Sequence, residues 1–173
     1  GHSIDMSRVE LPMMFNLHHP LNLEVIGAEA QHDNMQSAAY RVIWGFLRKC
    51  PASKVRFCIF DPKEGGGSVR MLSNFVNKMP DSYKRAVTQM SRTEELLSCL
   101  KELEGQTLDF IRDRPDYDDL LDYNAHNLRR TEAITLLMLY DFPLNADARC
   151  LELLSSVMQK GNKCGIYVVL CRN

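Results

Sequence analysis

The sequence has 173 residues, of which 45% are hydrophobic and 25% charged, a balance that fits one globular domain and excludes disorder, collagen-like repeats and low-complexity tails. Twenty-one Lys and Arg against 22 Asp and Glu give a formal charge of −1, which excludes binding of nucleic acid by bulk surface charge and leaves a local basic patch open. The six cysteines have no C-x-x-C spacing and mostly sit in apolar runs, so they read as reduced, small hydrophobes in a cytoplasmic setting. Residues 1–8, opening Gly1-His2-Ser3, read as the remnant of a removed tag and an N-terminal tail, and residues 9–173 as the domain.

In chain order, Val9 to Leu17 reads as a strand that Pro12 demotes to an edge, and Leu21 to Ile26 as a second strand with alternating apolar residues. A polar loop, Gly27 to Asn34, precedes a helical pattern carried by Ala39, Val42, Ile43, Phe46 and Leu47, which Pro51 stops. Lys54 to Phe60 is β-rich and breaks at Asp61-Pro62, while Lys63 to Pro80 opens on Gly65-Gly66-Gly67 and has no clear pattern. Ser91-Arg92-Thr93-Glu94 fits a capping box, with Leu96, Leu97, Leu100, Leu103, Leu108 and Ile111 expected on the buried face of the helix that follows. A shorter helix is expected to open at Pro115-Asp116.

Ile134 to Tyr140 is a continuous apolar run, as in a strand buried on both faces. Asn145 to Lys160 is predicted helical with Ala148, Leu151, Leu154, Val157 and Met158 inward and Gly161 as its close, before a last strand from Ile166 to Cys171. This alternation predicts an α/β fold with a mainly parallel sheet flanked by helices. Ligands bind such sheets beyond the carboxyl ends of the strands, which singles out the loops 27–34, 61–68 and 141–145.

Strand, eight-residue loop and helix is also the frame of a phosphate cradle of the form G-x-x-x-x-G-K-[ST]. The stretch here is Gly27-Ala28-Glu29-Ala30-Gln31-His32-Asp33-Asn34. Only Gly27 matches; His32 replaces the second glycine, Asp33 the lysine and Asn34 the magnesium-binding hydroxyl residue. At about 4 Å and an effective dielectric near 20, a unit charge pair is worth roughly 4 kcal/mol, so an acid in place of the lysine turns an attraction of that size into a repulsion.

Several further stretches resemble one family. Leu11-Pro12-Met13-Met14-Phe15, Val25-Ile26-Gly27, the apolar strand ending Asp61-Pro62-Lys63, the helix ending in Tyr123-Asn124, Leu136 to Phe142, and Lys163 to Leu170 together resemble the motor domain of the FtsK/SpoIIIE DNA translocases and the related type VII secretion ATPases. The resemblance covers most of residues 11–173 and implies a RecA-like P-loop NTPase fold, ring-forming sister ATPase domains or other subunits as partners, and DNA or a secreted protein as the cargo of a bacterial parent machine. It implies a cytoplasmic domain whose parent can be membrane-anchored.

Against the family's Asp-Glu Walker B ending, this chain offers Tyr140-Asp141 in one alignment and Asp141-Phe142 in the other. Either way one acid is missing, and Asp141 is the remaining catalytic candidate. Arg172 and Asn173 occupy the sensor positions, and the chain reads as an excerpt of a longer one. The expected function is a degenerate, non-hydrolysing module with a structural or regulatory role and no cofactor. The alternative is an active translocase domain that binds ATP and magnesium through an atypical loop at Gly27 to Asn34.

Other groupings have plainer readings. The aspartates between Asp113 and Asp122 lack the order of an EF-hand and read as a solvated helix start. His18-His19 reads as a turn, and His32, Asp33 and Ser37 carry too little pattern for a hydrolase. Arg129-Arg130 reads as an exposed basic turn before a buried strand rather than an arginine finger.

Overall fold

The computed structural model describes residues 22–26, 43, 45–46, 50–62, 74, 76–143 and 146–172. Five strands form one sheet: β1 (Leu23–Ile26), β2 (Val55–Phe60), β3 (Val87–Met90), β4 (Ile134–Tyr140) and β5 (Ile166–Arg172). Their order is β1-β5-β4-β2-β3 and all four pairings are parallel, with Phe57 opposite Leu136, Leu137 opposite Val168 and Leu23 opposite Val169. The α/β architecture predicted from the alternation of elements is the one observed.

Three helices of more than one turn are described in full: α1 (Thr93–Asp113), α2 (Leu120–His126) and α3 (Ala148–Lys160). A parallel sheet needs a crossover between successive strands, and right-handed crossovers send chain moving one way along the sheet to one face and chain moving the other way to the opposite face. The two cores record this rule. Val55, Phe57, Ile59, Leu136, Met138 and Tyr140 face Ile43, Phe46 and Met79, which lie between β1 and β3 in the chain. Cys58, Phe60, Leu137, Leu139 and Val168 face α1 and α3, which carry the chain back from β3 to β4 and from β4 to β5.

The apolar run of β4 is buried along its whole length, as a central strand covered on both faces requires. The helices depart from the sequence reading in phase and in start. On α1 the buried stripe is Leu96, Cys99, Leu100, Leu103, Thr107 and Phe110, whereas Leu108 is 49% and Ile111 43% exposed. Thr107 can occupy the inner face because its hydroxyl donates to the Leu103 carbonyl at 2.8 Å, which removes the cost of burying it. The predicted capping box is shifted by one: Arg92 is the N-cap, and Glu95 rather than Glu94 folds back, its Oε2 accepting from the Ser91 and Arg92 backbone amides.

Pro115-Asp116 forms a turn, and α2 begins at Leu120, where the Asp119 carboxylate accepts from the Asp122 amide at 2.9 Å. On α3 the inward residues are Cys150, Leu153, Leu154 and Val157, while Ala148 and Leu151 are exposed. Asp147 fixes this phase by capping the helix through the Cys150 amide at 2.7 Å. Gly161 closes the helix as its C-cap, as expected, its amide donating to the Val157 carbonyl. A 3-10 turn, Gly161–Cys164, then leads to Gly165, whose left-handed φ of 73° reverses the chain into β5. All six cysteines are free thiols.

Candidate functional site at the carboxyl end of the sheet

The connection after β2 packs into the first core and the connection after β4, through α3, into the second, so the chain leaves these neighbouring strands toward opposite faces. Such a divergence opens a crevice above the carboxyl ends of the two strands. Two acids stand there. Asp61 follows the last residue of β2 and is 4% exposed, with its backbone amide donating to the Met90 carbonyl of β3 at 2.9 Å. Asp141 follows the last residue of β4, half-buried, with φ of 49°.

The turn at Asp141 is what brings its carboxylate to the edge. Tyr140, the residue before it, points into the first core and is 5% exposed. Continuing the strand would place residue 141 against the second core among Leu137 and Leu139. The left-handed backbone, which Asp tolerates better than most residues, ends the strand and redirects the side chain. The Oδ2 oxygen of Asp141 is nevertheless buried, and its charge is felt by Cys171 at the end of β5. Burial first and the Asp141 charge second push the Cys171 thiol up to about 12, so it stays protonated at neutral pH.

Of the sequence-predicted site, the structure thus places Asp141 at the expected strand end. Gly27, Ala28, Glu29, Ala30, Gln31, His32, Asp33 and Asn34 lie outside the described residues, as do Gly65 to Gly67, His18-His19 and Ser37. β1 ends at Ile26 on the same edge as Asp61 and Asp141, so the chain enters the 27–34 segment from the carboxyl side of the sheet. Asp61 opens the 61–68 loop singled out from the sequence and the Asp61-Pro62-Lys63 stretch of the resemblance; its burial beside β3 gives it a place at this edge. Among the described residues, no group of three or more His, Cys, Asp and Glu stands ready to hold a metal.

Arg129 and Arg130 are exposed in the turn before β4, at the opposite, amino end of the sheet. That end carries a separate recess of about 220 Å³ lined by Gln106, Asp113, Arg114, Glu132, Thr135 and Cys164, among others. Arg114 lies 4.2 Å from the centroid of the Tyr123 ring and pairs with Glu132. Asn124 grips the lead into β4 with both ends of its amide, donating to the Glu132 carbonyl at 3.0 Å and accepting from the Glu132 amide at 2.7 Å. The Tyr123-Asn124 pair is therefore a structural clamp remote from the acidic edge.

No protein-family model and no curated protein matches the sequence. Solved structures do match in fold. A structure of the pCW3 conjugation coupling protein TcpA, in a monomer form with ATPγS, superposes with a TM-score of 0.68 at 12% identity, over 91% of this chain and 44% of TcpA. EssC (ATPases 2 and 3) from Geobacillus thermodenitrificans gives 0.64 at 14% identity, over 89% of this chain and 28% of that one. The cytoplasmic domain of the Thermomonospora curvata type VII secretion ATPase EccC gives 0.62 at 15% identity, over 87% of this chain and 18% of that one. The chain spans less than half the length of each of these proteins. A parallel sheet flanked by helices, shared with these proteins, is the fold that the FtsK/SpoIIIE resemblance implies: the chain has the P-loop ATPase fold.

Proposed function

We propose that this chain is an FtsK/SpoIIIE-like module of a bacterial ATP-driven translocase, and that it acts structurally or in regulation rather than by hydrolysing ATP itself. The observation that carries the reading is the end of β4. A magnesium-nucleotide site built there calls on two adjacent acids, yet Tyr140 is a core residue, 5% exposed, and Asp141 alone offers a carboxylate. The sequence at 27–34 adds to it, with Asp33 where a cradle would present a lysine to phosphate. The donor set does not fit Mg-ATP, and no hydrolytic step is assigned to this chain.

The partners are sister ATPase domains or other subunits of a ring-forming motor, with DNA or a secreted protein as the cargo of the assembly. EssC ATPases 2 and 3 share one chain, and an EccC structure with the same fold holds a signal sequence peptide. A tandem arrangement of that kind would let one copy lose its own chemistry while a neighbour keeps it. The domain would lie on the cytoplasmic side; among the described residues, no helix is long and apolar enough to cross a membrane.

Calorimetric titration of the chain with Mg-ATP tests the reading. The expected result is no binding in the micromolar range, and no ATP hydrolysis with or without double-stranded DNA. Micromolar affinity or DNA-stimulated turnover would establish the alternative, an active domain with an atypical cradle.

A further inference from the structure

Away from the acidic edge, the structure pairs two cysteines that stand far apart in the sequence. Arg56 and Cys58 project from the same face of β2, toward α1. Arg56 is tied to Glu102 of α1 by two hydrogen bonds, Nη1 to Oε1 at 2.6 Å and Nη2 to Oε2 at 3.3 Å. Because α1 starts beyond the carboxyl end of β3 and returns toward the amino end, it runs antiparallel to β2. Two residues up the strand climb about 6.6 Å, and three residues back along the helix climb about 4.5 Å. The rung next to Arg56–Glu102 is therefore Cys58–Cys99. Both are buried in the second core, close enough for each thiol to shift the titration of the other.

The pair is not sealed off. A groove of about 430 Å³ runs between β3 and the start of α1, lined by Arg56, Thr88, Met90, Glu95, Cys99 and Glu102, among others. Cys99 is thus the thiol that a small molecule entering from solvent meets, and Cys58 lies behind it, fully buried. We propose that Cys58 and Cys99 form a reversible dithiol site, oxidised to a disulfide by a small hydroperoxide that enters through this groove.

The chemistry balances with the two thiols and one hydroperoxide. The Cys99 sulfur attacks a peroxide oxygen, the O–O bond breaks, and a sulfenic acid and one water form when hydrogen peroxide is the oxidant. The Cys58 thiolate then attacks the Cys99 sulfur, the S–O bond breaks, and hydroxide leaves to take up the Cys58 proton as the second water. Both sulfurs together lose two electrons to the peroxide. Access sets this order, because Cys99 and not Cys58 lines the groove. The neighbouring Cys99, with help from the Arg56 charge, holds the Cys58 thiol below its ordinary value, while the neighbouring Cys58 and burial push Cys99 up. Cys58 is accordingly the better resolving thiolate, and the first step at Cys99 is expected to accelerate as pH rises.

The test treats the reduced full chain with hydrogen peroxide and follows intact mass and a non-reducing peptide map. The expected result is a chain lighter by two hydrogens, with the Cys58 and Cys99 peptides joined and released again by dithiothreitol. In a Cys58→Ala chain the cross-link is lost and Cys99 accumulates as sulfenic or sulfinic acid. The wild-type map alone decides the matter if that variant does not fold. The proposal is overturned if wild-type Cys99 over-oxidises without joining Cys58, if either joins another cysteine instead, or if the pair stays reduced under peroxide that oxidises surface methionines.

Discussion

At the amino end of the sheet, side chains hold backbone. The Lys54 ammonium donates to the Thr131 carbonyl at 2.9 Å, Lys163 to the Asp118 carbonyl at 3.0 Å, and Asn124 brackets Glu132 with two hydrogen bonds. At the carboxyl end, acids collect instead: Asp61 sits 4% exposed, and Asp141 adopts a left-handed backbone that most residues avoid. The two ends belong to the same strands, so the difference is a division of labour along them. One end stabilises the fold by satisfying polar groups, and the other spends part of that stability on presenting charge.

The contrast can be broken by substitution, with the largest effect expected at the amino end. Gly165 has a φ of 73°, and a Cβ there would lie 2.4 Å from the Leu120 Cδ2 and 3.3 Å from the Ile134 Cγ2. Gly165→Ala should cost about 2–4 kcal/mol, the sum of left-handed strain and crowding, read from the midpoint of urea unfolding. A loss below about 1 kcal/mol would mean that this corner of the core is looser than its packing indicates.

A smaller, pH-dependent effect is expected at the carboxyl end, where α1 begins. Hydrogen bonds from the Arg92 side chain, and then from the Ser91 and Arg92 amides, lower the Glu95 carboxyl from 4.5 to about 2. A depressed carboxyl stabilises the fold above its unfolded value, and that contribution is lost as pH falls from about 4.5 toward 2. Melting temperatures of the wild type and Glu95→Gln should therefore differ most at neutral pH and converge in acid. Parallel curves would show that the carboxylate's charge is not what holds the helix start.

The smallest effect is expected at Asp141. Asp141→Gly relieves the left-handed backbone and adds unfolded-state freedom in similar measure, so stability should stay within about 0.5 kcal/mol of wild type. Set beside Gly165→Ala, that near-neutrality would identify the carboxyl edge as the part of the molecule whose residues are set by chemistry rather than by packing. A loss of about 2 kcal/mol or more would instead make Asp141 part of the framework.

The elements most legible in the sequence were those whose surroundings are uniform. Ile134 to Tyr140 reads as a buried strand because both of its faces are apolar, and the fold covers both. β3 is the opposite case. Val87–Met90 has two exposed polar residues, Thr88 and Gln89, and owes its extended shape to its ladder with β2, with flanking bonds from the Phe57 amide to the Ala86 carbonyl and from the Asp61 amide to the Met90 carbonyl. No local pattern marks it. Hydropathy also misplaced the end of the α1 stripe, because it counts Leu108 and Ile111 as core and cannot see that Thr107 finds its own acceptor at Leu103.

At the candidate site, Asp141 was legible as the acid closing an apolar strand, whereas the place of Asp61 beside it depends on the pairing of β2 with β4. The Cys58–Cys99 pair was invisible for the same reason. Its members become neighbours only when α1 runs back across β2.

The strand order also sets a timetable for synthesis. β1 is made before the other four described strands, yet its partner in the sheet is β5, with Leu23 opposite Val169. At about 5–20 residues per second, a ribosome leaves that first strand without its pairing edge for roughly 7 to 30 seconds. β2, β3 and β4 can assemble in the meantime, so the growing chain carries an unpaired β segment beside a half-built sheet. A chaperone that shields extended apolar segments would be of most use to this protein in that interval, and of little use once β5 has emerged.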